Sequence, residues 1–410
     1  MLAHGMVHTY ELAIPIFIGI WLLEFGATTA TLGVIVTVSY GLFGVGALPG
    51  GVLADRIGSK RLIVLCLFGM SGSFLVLALA PGLSAVAIAL LLWGVAASVY
   101  HPAGLTLISK GVKSRGESFA YHGIAGNVGI GFGPLLTAVL LIGLEWRTVA
   151  FVLAAPALLA GLLALRIDVD ETAAVATTDG GESEHETKGS SGVGSVSEFL
   201  STSTSLFAGS FALVFVLVMF SGLYYRGVLT FLPDLLGDVL AIEPLPIDAY
   251  VPFETSGDGA PEIAFERYVY AGLLIVGIFG QYVGGKLTDR IRVERGLLFG
   301  WTMLVIAAIA FLPLANAGIL TLFLGCILLG FFLFFVQPLY QATVAEYTPP
   351  GTRGLSYGFT YLGTFGIGAM GAAIAGFVLD ISGAGLLFGV LTTFGVIAAS
   401  IALYLLYYGR

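Results

Sequence analysis

Polar positions are scarce along this chain and fall in clusters, separated by apolar runs of about twenty residues. The stretch "LIVLCLFGMSGSFLVLALAPG" carries no charged side chain, and comparable stretches recur from end to end. A helix of about 20 apolar residues crosses the roughly 30 Å hydrocarbon layer of a bilayer. The pattern predicts twelve such helices, over 6–26, 31–53, 61–81, 83–109, 117–142, 147–166, 205–236, 266–288, 295–315, 317–346, 353–380 and 385–408. The fold class read from this pattern is an all-α polytopic membrane protein. The first run has neither a basic leading segment nor a small-residue cleavage site, so it reads as a retained helix and not as a signal peptide.

Composition agrees. Only 10% of the 410 residues are charged, too few to cover a soluble protein of this length. The 58 glycines suit close approach between membrane helices. Cys66 and Cys326 both lie in apolar runs, with no metal-type spacing and no expectation of a disulfide.

Basic residues orient the chain. Arg56, Lys60, Arg61, Lys110, Lys113, Arg115, Lys286, Arg290, Arg292, Arg295 and Arg353 sit in short loops after even-numbered spans. With Arg166, Lys188 and Arg410, that assigns 14 of the 17 basic residues to one side. The positive-inside rule makes this side the cytoplasm, with both termini there, and a cell membrane the expected location. Two polar stretches interrupt the runs. Residues 167–198 are acidic and rich in glycine and serine, and read as a disordered cytoplasmic linker between bundles at 1–166 and 199–410. Residues 237–266 form an acidic external loop. Together these stretches hold 15 of the 25 acidic residues, so the net charge of -8 belongs to solvated loops.

The halves repeat. "GGVLADRIGSKR" (Gly50–Arg61) returns as "GGKLTDRIRVER" (Gly284–Arg295), each between the second and third span of its half. Aligned on proline, "VHTYELAIP" in the first span meets "YRGVLTFLP" in the seventh, so His8 corresponds to Arg226. "YHPAG" in the fourth span answers "VQPLY" in the tenth. Two parallel six-helix halves with a site at their interface follow. The loop Gly50–Arg61 resembles the signature of the major facilitator superfamily, and the resemblance runs the length of the chain. It implies the major facilitator fold, with twelve helices in two pseudo-symmetric bundles. It also implies a cytoplasmic gate built on Gly51, Asp55, Arg56 and Gly58, with Asp289 and Arg290 in the second copy. In the family the aspartate caps a helix of the opposite half and the arginine pairs locally. A carboxylate at a helix N-terminus is stabilised by the partial positive charge there. "GNVGIGFGPLL" in the fifth span resembles the family's antiporter motif at Gly129, Gly133 and Pro134, although Thr137 and Ala138 stand where a glycine pair is expected. Gly126, Gly129 and Gly133 share one face, which predicts packing against the other bundle. "AHGMVHTY", "SVYHPAGLTLIS" and "HGIAGNVG" resemble exporters of the fosmidomycin-resistance type.

The polar chemistry inside the spans is sparse. His4, His8, Glu11 and Pro15 fall on one arc of the first helix. His101 and His122 lie at similar depth in the fourth and fifth spans. Ionisable groups at such depth face water or one another, and histidine titrates near neutral pH. His8, Glu11, His101 and His122 are therefore the expected proton-coupling set, set against ordinary packing roles for each. His4 reads more simply as a headgroup-level residue. His4 and His8 have the i,i+4 spacing of metal ligands, but no cysteine or carboxylate set completes a site, so no metal is expected. Arg226 is the expected anchor for an anionic solute, against a structural partner such as Glu11 or Asp234, with Tyr225 beside it. Asn127, Gln337, Gln341 and Tyr361 join it by family position. "GIGAMG" (Gly366–Gly371) lies in an apolar helix and reads as packing, and no nucleotide-binding loop is present in the sequence.

No enzyme chemistry and no cofactor are expected. The leading expectation is a secondary active transporter that exports a small anionic or amphiphilic organic solute in exchange for protons, by alternating access. Uptake of an organic anion by symport is the alternative, and a transport-inactive sensor or scaffold is the alternative of another class. The expected partners are the solute, protons and the lipid bilayer, without nucleic acid. A monomer suffices for this work.

Overall fold

A computed structural model describes residues 1–112, 115–171, 173, 196–240, 245–246, 262–349 and 352–409. Among the described residues, twelve helices are long and apolar enough to cross a membrane. In the first half these are Leu2–Phe25, Thr29–Ala54, Ser59–Ala78, Leu83–Gly111, Tyr121–Leu140 and Trp146–Arg166. In the second half they are Phe211–Leu229, Phe265–Thr288, Val293–Ala317, Ile319–Tyr347, Leu355–Ser382 and Ala384–Tyr408. We call them spans 1 to 12. A lone strand pairing, Leu245 with Ile263, lies in the acidic loop between spans 7 and 8. The rest of that loop at 241–244 and 247–261, and residues 174–195 of the linker, lie outside the described residues.

Span ends follow local chemistry. Span 1 stops at Gly26, whose φ of 57° is the left-handed turn that terminates helices. Thr28 then caps span 2, its side chain accepting the N–H of Thr31 at 3.1 Å. Span 4 breaks at Val99 between Leu83–Ser98 and Tyr100–Gly111. Pro102 has no N–H to offer the Ser98 carbonyl, which explains the position. The run expected over 205–236 is three helices, Val196–Phe207, Phe211–Leu229 and Leu232–Leu240. Gly209 and Ser210 end the first segment, and Pro233 sits in the opening turn of the third, where its missing N–H costs nothing. Span 11 carries a wide turn over Leu362–Ile367. Such insertions are frequent at functional sites.

Seams between spans 2 and 11 and between spans 5 and 8 join the halves, the first running from Gly33 to Leu48, whose side chain a Cβ at Gly358 would meet at 2.9 Å. Span 2 packs on span 11: a side chain at Gly33 would meet the Ala373 Cα at 3.2 Å, and Thr37 donates to the Ala369 carbonyl at 2.9 Å. The Asp380 carboxylate closes this seam by accepting the N–H groups of Thr29 and Ala30, each at 3.1 Å, and the Thr29 hydroxyl. Span 5 meets span 8, where a Cβ at Gly131 would touch Ile275 and Ile278 at 3.1 Å. The Tyr268 hydroxyl reaches the Ala138 carbonyl in the same seam.

Two expectations are corrected here. The face bearing Gly129 and Gly133 does not pack on the other bundle. A Cβ at Gly133 would lie 2.6 Å from the Thr9 Cα, and one at Gly129 would strike the backbone of Gly5, both in span 1 of the same half. Span 1 has glycine or a small residue at each crossing, so the two backbones close within a bundle, two residues along the helix from the inter-bundle contact at Gly131. Pro134 lies in this same helix, beside Gly133. The described start of the linker is also ordered. Glu171 accepts the N–H of Ser59 at 2.7 Å and of Lys60 at 2.9 Å, capping the N-terminus of span 3. At its far end a helix has already begun at Val196.

Candidate functional site

Between the halves lies a cavity of about 860 Å³. It runs from Glu11, Ser221 and Tyr225 at mid-chain depth to Ser109, Gln341 and Tyr357 near the basic ends of spans 4, 10 and 11.

His4 and His8 of span 1, His101 of span 4 and His122 of span 5 all line it, as does Glu11. The order of bonds defines the tautomers. The His4 Nδ1 lies 2.7 Å from the His122 backbone carbonyl, which only accepts, so His4 carries its proton there and presents a bare Nε2. His8 Nδ1 lies 2.5 Å from Glu11 Oε2 and donates to it. His8 Nε2 then faces His4 Nε2 at 3.1 Å. The His4 and His122 rings stack at 3.8 Å between centroids, and His101 meets His4 edge-on at 5.2 Å. From the opposite half Tyr361 stacks on His101 at 5.2 Å. Asn127, Gln337, Gln341, Tyr225 and Tyr361 line the same cavity.

Arg226 meets Glu11, one of its two candidate structural partners. It is 1% exposed and does not line the cavity. Its Nη2 donates to Glu11 Oε1, joining span 7 to span 1. Tyr40 of span 2 lies flat beneath it, with the guanidinium carbon 3.7 Å from the ring centroid. The Tyr40 hydroxyl donates to the Glu11 backbone carbonyl at 2.5 Å, so one side chain steadies both members of the pair. Arg226 Nε has no partner among the described residues. A buried guanidinium with one donor unspent is a stock of hydrogen-bonding capacity. Asp234 is not its partner: its carboxyl packs against Gly19 of span 1.

The profile of the Major Facilitator Superfamily matches residues 1–368 and 259–410. The chain belongs to this superfamily. Segments of the chain are similar to two proteins named as transporters. A Na(+), Li(+), K(+)/H(+) antiporter of Planococcus maritimus is 36% identical over 162 residues, which is 36% of this chain and 36% of that protein. A gallate transporter of Pseudomonas putida is 28% identical over 145 residues, 34% of this chain and 32% of that one. The chain thus matches about a third of the length of each. Among solved structures, a bacterial homologue of the human lysosomal transporter Spinster, inward-facing and occupied, aligns with a TM-score of 0.71 at 14% identity, over 98% of this chain and 94% of that one. A variant of the nucleoside transporter NupG aligns with a TM-score of 0.72 at 14% identity, over 98% and 99%. These likenesses concern the fold.

In this superfamily member the signature loop turns at Gly58, where φ is 89° and only glycine sits without strain. Arg292 occupies the equivalent place with φ -58°, so the second loop turns differently. Its guanidinium binds the Leu406 carbonyl at 2.9 Å within its own half. The Asp55 side chain lies outside the described residues. Gly51 is half-buried, and Arg56, Asp289 and Arg290 are exposed. None of Arg56, Asp289 and Arg290 makes a described bond to the opposite half. "GIGAMG" packs as expected, with a Cβ at Gly368 meeting the Gly222 Cα at 2.6 Å. Residues missed in the sequence are His4, Tyr40, Glu171 and Asp380. His4 carried a signal in its i,i+4 spacing to His8; the others had none, because their partners lie far along the chain.

Proposed function

We propose that this transporter moves a small organic anion together with a proton. The observation that carries the reading is the ion pair of Glu11 and Arg226, buried between the halves at the end of the cavity. While Glu11 is a carboxylate, it occupies the guanidinium. A proton on Glu11 removes its charge and releases Arg226, whose Nε is already unspent. An entering carboxylate, phosphate or phosphonate then replaces Glu11 on the planar fork. Proton and anion favour the same state of the site, which is the logic of symport. This sign selects the symport reading over proton-driven export. Tyr225, Asn127, Gln337, Gln341 and Tyr361 supply the neutral contacts, and His8 orients Glu11 through its hydrogen bond. In this reading the basic side is the cytoplasm and the cavity faces inward. The Asp55/Arg56 loop latches that side in the other half of the cycle.

The test uses proteoliposomes and a panel of labelled organic anions under an imposed pH gradient. Accumulation on the alkaline side, lost in Glu11→Gln while anion counterflow persists, supports the assignment. Accumulation on the acidic side makes the protein an antiporter and sinks it.

A further inference from the structure

The three buried histidines of the cavity wall do something the ion pair does not need. We propose that His4, His101 and His122 form a binding site for a borderline divalent transition-metal ion of the zinc, nickel or cobalt kind. One ligand atom from each lies within 4.8 Å of the others, and the residues are 7%, 6% and 6% exposed. Spacing along the chain gives no hint of this set, because its members come from spans 1, 4 and 5.

Two features make the cluster a donor set. His4 spends its Nδ1 proton on the His122 carbonyl, so its Nε2 carries a lone pair on the cavity side, where His8 Nε2 lies 3.1 Å away. A backbone hydrogen bond of this kind is the usual means of orienting a metal-binding imidazole. His101 Nε2 is buried and has no hydrogen-bond partner among the described residues. Such an orphan needs a ligand, and this one lies beside two further imidazoles. Packing alone does not account for it, since apolar rings of similar size would fill the space without an unspent polar atom.

The chemistry of the set narrows the ion. Imidazole nitrogens suit zinc, nickel, cobalt and copper, whereas magnesium and calcium require oxygen. Nitrogens bound at about 2.0–2.1 Å in a tetrahedron sit about 3.3 Å apart. Reaching that from the present spread requires the His122 ring to turn off its stack on His4. All three ligands belong to one bundle, so the ion does not tie the halves together. Three protein ligands leave a fourth position, and the cavity supplies it with water or an anionic solute.

Cobalt(II) is added to the purified full-length protein in detergent, without solute. We expect one ion per chain with intense visible bands of a low-coordinate nitrogen site. His101→Gln weakens binding by tenfold or more, whereas His185→Gln, in the linker outside the described residues, leaves it unchanged. Circular dichroism and elution volume establish that each variant is folded. Where His101→Gln fails to fold, X-ray absorption of zinc-loaded wild-type protein decides instead. Imidazole scattering from three nitrogens supports the site, and an oxygen-only shell overturns it. Pale, six-coordinate cobalt in the wild type, or unchanged affinity in folded His101→Gln, also overturns it. None of these readouts depends on transport, so they stand apart from the symport reading.

Discussion

Glu11 in span 1 and Arg226 in span 7 form an ion pair with both side chains withdrawn from solvent, one from each half of the molecule. The pair sits over the Tyr40 ring, which donates its hydroxyl to the Glu11 backbone and offers its face to the guanidinium. A buried pair of this kind is costly to break from one side only, because the remaining charge is stranded. Arg226→Gln is therefore expected to destabilise the protein by about 3 kcal/mol. The double variant Glu11→Gln with Arg226→Gln should recover most of that loss. Thermal unfolding of the singles and the double in one detergent measures the coupling, and additive losses would show that the two groups do not act as a pair.

Asp380 and the first turn of span 2 form the seal at the end remote from the basic loops. Asp380→Ala removes a helix cap that exists only while this end is shut. The carboxylate is exposed, so the effect is modest, about two- to fivefold in the balance of states. Spin labels placed by Thr28→Cys and Ser382→Cys should report a larger population of long distances in Asp380→Ala. Cys66 and Cys326 are buried and do not compete for label. An unchanged distance distribution would remove Asp380 from the gate.

The glycines of span 5 separate fold from motion. Gly133→Ala puts a methyl group 2.6 Å from the Thr9 Cα inside one bundle, where neither backbone can retreat. A loss of stability of about 1–3 kcal/mol is expected. Gly131→Ala meets the Ile275 and Ile278 side chains of the other half at 3.1 Å, with the nearest backbone atom of that half, the Ile275 Cα, at an ordinary 3.8 Å. It should leave unfolding nearly unchanged and shift the balance of facing states. Equal unfolding temperatures for the two variants would refute this division.

Glu171 anchors the start of the linker to the N-terminus of span 3. Glu171→Ala should cost about 1 kcal/mol of stability. Deleting residues 176–195, which leaves the cap in place, should alter neither stability nor flux. Loss of flux in the deletion alone would make the linker more than a tether.

The major facilitator fold was legible because its causes are local. In lipid each backbone N–H and C=O must be bonded within its own segment, so an apolar run of sufficient length becomes a helix whatever its neighbours are. The repeat of Gly50–Arg61 at Gly284–Arg295 then marked two halves, and the polar stripe of His4, His8 and Glu11 marked the side that faces water. What faces each helix was not legible. Gly129 and Gly133 announce a close crossing without saying with which helix, and the structure supplies span 1, not the other bundle. His101 and His122 reach His4, Arg226 pairs with Glu11 at the end of the cavity, and Asp380 finds span 2 across 350 residues. These pairings depend on rigid helices settling ridge against groove, a balance of many weak contacts between distant segments. Sequence by itself determined how many helices there are and which chemistry they carry; the packing alone decided which groups meet.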